Sequence, residues 1–106
     1  MAKYLWQVSY TAEGLKGVLK EGGSARASSI SKLVKGMGGK VEAFYFAFGD
    51  DDVYLIADVP DKVDAAALSL TVGASGAARV KTAVLITPEE VDAAAKRKVP
   101  YKAPGA

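Results

Sequence analysis

Seven side chains of this sequence have types and spacing that could gather a small anion: Gln7, Ser9, Tyr45, Tyr54, Asp58, Arg79 and Lys81. Gln7 and Ser9 stand two apart on one alternating segment, and Arg79 and Lys81 two apart on another. Each pair therefore falls on one face of a strand. Two cations beside hydroxyl and amide donors could hold a small carboxylate or phosphate. The same cations also have an ordinary reading, as solvated charges that keep a sheet edge soluble. Asp58 opposes an anion unless Arg79 or Lys81 neutralises it. Histidine and cysteine are both absent from the 106 residues. Thiolate nucleophiles, disulfides, imidazole bases and most zinc sites are thereby excluded. No catalytic motif is present, no cofactor is expected, and whether the chain is an enzyme stays open.

Other motifs carry less. Asp50-Asp51-Asp52 lacks the spaced ligands and distal glutamate of a calcium loop, and acidic residues suit a tight turn by themselves, so no metal is expected. Gly22-Gly23-Ser24 and Gly36-Met37-Gly38-Gly39 have no lysine-serine ending and read as helix punctuation. The run from Ala43 to Gly49 is aromatic, but it sits on the second strand without a preceding basic signature. With a formal net charge of +2, nucleic acid is not an expected partner. Lys96-Arg97-Lys98 is what a helix C-terminus favours. The amino terminus lacks the apolar core of a signal peptide, and no run approaches the roughly 20 apolar residues of a membrane span. The expectation is a soluble cytoplasmic protein.

The elements that must position these residues follow from periodicity. Tyr4 to Tyr10 alternates as a strand. Thr11 caps a segment with Leu15, Val18 and Leu19 on one side, and Ser24 restarts a helix striped by Ile30, Leu33, Val34 and Met37. Gly38-Gly39 ends it in a left-handed turn. Gly38 to Asp61 reads as a β-hairpin turning at Asp50-Asp51, which sets Phe48 opposite Val53 and Phe46 opposite Leu55. Its core face is Phe44, Phe46, Phe48, Val53, Leu55, Ala57 and Val59. Asp61 caps a helix striped by Val63, Ala66, Ala67 and Leu70 and closed by Gly73. Ala78 to Ile86 alternates again, and Thr87-Pro88-Glu89-Glu90 opens a last helix with a capping box. The order β-α-β-β-α-β plus a terminal helix predicts an α+β, ferredoxin-like fold: a four-stranded antiparallel sheet with helices on one face. One domain spans residues 1–98, and 99–106 form an irregular tail.

Tyr10-Thr11, Gly14, Gly38-Gly39-Lys40, Phe44-Tyr45, Gly49, Asp52, Asp58, Pro60-Asp61, Thr82, Leu85 and Thr87 together resemble the GYD-domain family of small bacterial and archaeal proteins. The chain departs from it at the name-giving tripeptide, where Gly49-Asp50-Asp51-Asp52 puts Asp51 in the tyrosine's place. The resemblance implies a dimeric α/β-barrel arrangement, in which two sheets pack through their helix-free faces around a small cavity. It implies no established activity.

The helix-free face of the hairpin supports that arrangement independently. Ala43, Tyr45, Ala47, Tyr54 and Ile56 make it too apolar for open water, so they are the candidate dimer interface. The expected function is a small homo-oligomer that binds a small organic anion between its sheets. The alternatives are a structural or interaction oligomer without a ligand, and a cofactor-independent enzyme in the same cavity.

Overall fold

A computed structural model describes all residues from Met1 to Ala106. Strand β1 (Ala2–Tyr10) is followed by helices α1 (Ala12–Glu21) and α2 (Gly23–Gly36). The hairpin β2 (Lys40–Phe46) and β3 (Val53–Val59) comes next, then α3 (Lys62–Ala74), β4 (Ala78–Leu85) and α4 (Pro88–Lys96). The strands form one antiparallel sheet in the order β2-β3-β1-β4. This is the ferredoxin-like order expected from the sequence, with β1 between β3 and β4.

Local chemistry sets the helix ends. The Thr11, Asp61 and Thr87 side chains accept hydrogen bonds from the backbone of Gly14, Asp64 and Glu90, and the Thr87 amide donates in turn to Glu90 Oε1. Gly38, at φ 83, supplies the left-handed residue after α2, a conformation that costs a side chain 1–2 kcal/mol or about that.

The core lies between the sheet and the helices, centred on Tyr4, Trp6, Leu55, Ala57 and Val59 with Val34 of α2 and Ala65 and Leu68 of α3. Helix α3 turns a different face inward from the one the spacing suggests. Val63 and Leu70 are 69% and 74% exposed, and Ala66 and Ala67 are exposed as well. The inward set is Ala65, Leu68, Ser69 and Val72. Both sets have i, i+3, i+4, i+7 spacing, so periodicity cannot choose between them. A tertiary contact marks the inward one: the Trp6 indole N–H donates to Ser69 Oγ at 3.1 Å. The helix also runs past Gly73 to Ala74, and the left-handed residue is Gly76. In α2, Val34 is buried as expected, but Leu33 lies largely outside.

The hairpin register is shifted by two residues from the expected one. Phe46, not Phe48, pairs with Val53, Phe44 pairs with Leu55, and Tyr45 with Tyr54. Residues 47–52 form the loop, closed by Ala47 N–H to Asp52 O at 2.9 Å. Phe48 adopts φ 55 and leaves the core to stack on Phe46, ring centroids 5.6 Å apart. Ala47 is likewise outside the strand. A shift of two preserves which side chains face the core, so the two faces survive the error. A bulge between Val41 and Ala43 adds one more irregularity and leaves Glu42 as the extra residue at the sheet edge.

No residue of α4 is buried. The radius of gyration is 16.8 Å, against about 13 Å for a compact chain of this length. No helix is long and apolar enough to cross a membrane.

Candidate functional site

Odd-numbered positions of β1 and β4 and even-numbered positions of β3 share the helix-free face, because side chains alternate along each strand. The register places them in rows across the sheet. Ala43, Ile56, Leu5 and Ala83 form an apolar row through all four strands. Tyr45, Tyr54, Gln7 and Lys81 form the next row toward the hairpin loop, and Ser9 with Arg79 lies beyond it. On the other side come Asp58, Lys3 and Leu85.

The loop after β2 folds back onto the end of β1. Asp52 fixes it, donating its backbone N–H to Val8 O at 2.7 Å while its carboxylate accepts from the Tyr10 N–H at 2.8 Å. Asp51 is thereby swung onto the helix-free face, where the residue is only 3% exposed. Gln7 Nε2 donates to it at 3.1 Å, Ser9 Oγ at 2.9 Å, and Lys81 Nζ stands 3.0 Å away. Hydrogen bonding to Lys81, aided by Ser9 and Gln7, holds the Asp51 carboxyl below its ordinary 3.8 against the opposing effect of burial.

Three of the seven candidate residues therefore converge, but on a carboxylate of their own chain. Asp58 is neutralised elsewhere. Lys3 Nζ reaches it at 3.1 Å and reaches Glu42 Oε1 at 2.8 Å. Hydrogen bonds to Glu42 first and Asp58 second raise the Lys3 ammonium above its ordinary 10.5. The requirement that Arg79 or Lys81 serve Asp58 is thus corrected. Lys3 lies directly across the strand pair from Asp58, whereas Lys81 and Arg79 are on β4 at the opposite end of the face. Tyr45 and Tyr54 pair across the hairpin, with Tyr45 exposed, and Arg79 is exposed without a carboxylate partner.

Asp51, Lys3 and Glu42 are the residues that sequence reasoning missed. Lys3 had a signal, since it continues the parity of Leu5, Gln7 and Ser9 one step before the expected strand start. Asp51 had none, because an acidic turn residue and a buried acceptor look alike in sequence.

A second feature lies on the other side of the sheet. Between α1, α2 and α3 there is a cavity of about 380 Å³, floored by core-facing residues including Trp6, Phe44 and Leu55.

The sheet order, the helices on one face and the open opposite face define an α+β domain of the ferredoxin-like class. Within that class the chain belongs to the GYD-domain family, whose family model, described as GYD domain, matches residues 4–95. Comparison with curated proteins and with solved structures found no match.

Proposed function

We propose that this protein works as a homodimer joined through the helix-free faces of two sheets. One observation carries the reading: the two carboxylates on that face, Asp51 and Asp58, are neutralised within the chain, on either side of an apolar row. Burying an unpaired charge is costly, whereas Asp51 with Lys81 and Asp58 with Lys3 bring their partners with them. Ala43, Leu5, Ile56 and Ala83 between them have no helix above them and lose water on association. A standard interface covers roughly 800 Å² per partner, which a four-stranded face can supply. Tyr45 and Tyr54 give the patch the aromatic, amphipathic character that interface centres favour.

Light scattering at micromolar concentration tests this, with an expected mass of twice 11.0 kDa. Ile56→Asp, which puts an unpaired charge in the apolar row, is expected to yield monomer. A wild-type protein that is monomeric under those conditions refutes the reading.

Arg79 favours a second element of it. Exposed beside Ser9 and lacking a carboxylate of its own chain, it remains available to a small organic anion held between the sheets. Gln7, Ser9 and Lys81 are less available for that task, since Asp51 already accepts from them. Loss of benzoate binding on Arg79→Ala, with the dimer intact, is the expected result.

A further inference from the structure

The cavity on the helix side of the sheet is separate from the proposed dimer face and lies on the opposite surface. Its floor is the core-facing side of the strands, and its walls are α1 with the start of α2 on one side and α3 on the other. Its volume of about 380 Å³ falls within the usual range for small-molecule sites.

The lining indicates what it would accept. Val18, Ile30, Val72 and Val80 border it and are only partly buried, so apolar surface of the domain's own interior is left without a partner. Of its four hydroxyls, the two on serines are already engaged, and those of Tyr10 and Thr71 have no hydrogen-bond partner. Ser69 Oγ donates to Ala65 O at 3.1 Å and accepts from Trp6, and Ser75 Oγ donates to Val72 O at 2.6 Å. The charges at its mouth are paired as well, Glu21 with Arg26 at 3.9 Å and Glu13 with Lys16 at 3.5 Å. No net charge awaits a polar ligand, and the free hydroxyl donors are only those of Tyr10 and Thr71.

Gly17 supplies an independent observation. It lies inside α1 and borders the cavity, and a Cβ built on it would meet nothing within 4 Å. An interior helical glycine costs about 1 kcal/mol relative to alanine, and no close approach of the backbone requires it here. Gly17 is exposed, so the side chain missing there leaves the cavity open to solvent along that wall.

We propose that this cavity is a binding site for a small, uncharged, apolar molecule, aromatic or aliphatic. At roughly 30 Å³ of liquid volume per small heavy-atom unit, it has room for on the order of a dozen heavy atoms. A peptide helix does not fit, since a helix about 10 Å across fills roughly 800 Å³ in two turns.

Trp6 is the only tryptophan and borders the cavity, so its indole N–H gives a single reporter resonance. Titrating the full-length ¹⁵N-labelled protein with toluene and with 1-hexanol is expected to move that resonance saturably, and titrating with benzoate is not. Gly17→Leu fills the space without threatening the helix, and is expected to weaken toluene binding by about tenfold or more. Ile56→Asp is expected to bind toluene unchanged, which separates this site from the dimer face. The proposal is overturned if neither neutral probe saturates, if benzoate moves the Trp6 resonance as tightly as toluene does, or if Gly17→Leu binds toluene like the wild type.

Discussion

Lys81 Nζ lies 3.0 Å from Asp51 Oδ2, joining the last strand of the sheet to the loop between its second and third strands. Asp51 is buried under this contact while Lys81 stays largely exposed, so the carboxylate is the member that depends on the pair. The loop and the β4 edge are thereby coupled through β1, whose Gln7 and Ser9 donate to the same carboxylate.

The stability profile at acid pH should show this. Asp51 has a folded pKa below its ordinary 3.8, so its contribution is present above that value and is lost as pH falls through the folded one. Asp51→Asn is expected to lower the melting temperature at neutral pH and to converge with the wild type in acid. Melting curves from about pH 2 to pH 7 check it; a difference independent of pH contradicts it.

The alkaline side has the opposite sign. Lys3 is raised above 10.5 by Glu42 and Asp58, so its contribution is full below that value and is lost as pH rises through the higher folded one. Lys3→Met leaves two carboxylates near one another without their cation. It is expected to destabilise the fold at neutral pH, and less so as both proteins are taken above about pH 11.

Two substitutions separate the faces of the helices. Val34 is wholly buried, and Val34→Ala is expected to cost roughly 2 kcal/mol through lost transfer and cavity formation. Leu70→Gln, on the exposed side of α3, is expected to stay within about 0.5 kcal/mol of wild type. Urea denaturation distinguishes them, and a large loss at Leu70 would mean that a second copy covers that stripe.

Gly14 and Gly17 make a matched pair on α1. A Cβ at Gly14 would collide with the carbonyl oxygen of Ala77, whereas one at Gly17 would meet open space. Gly14→Ala is expected to destabilise, and Gly17→Ala to stabilise by up to about 1 kcal/mol. Thermal unfolding of the two variants is the measurement.

Thr87→Ala removes a cap from a helix that buries none of its residues. The loss of about 1 kcal/mol should therefore remain local. Amide exchange is expected to quicken in α4 alone, with the main unfolding transition unmoved.

Element order, strand parity and helix caps were legible in the sequence because they depend on residues a few positions apart. Thr11, Asp61 and Thr87 each meet a backbone amide three residues on, and Tyr4, Trp6 and Leu55 declare their face by alternation alone. The family was legible for the same reason, since its marks are short patterns in a fixed order. Tertiary structure alone decided the rest. Two equivalent stripes on α3 were resolved by Ser69 meeting Trp6, and the hairpin register by Asp52 binding the end of β1. The same loop placed Asp51 among Gln7, Ser9 and Lys81, groups up to 44 residues away in the chain. Which carboxylate meets which cation depends on distances that alternation and spacing do not contain. Those distances are fixed only when strands distant in sequence take their places in one sheet.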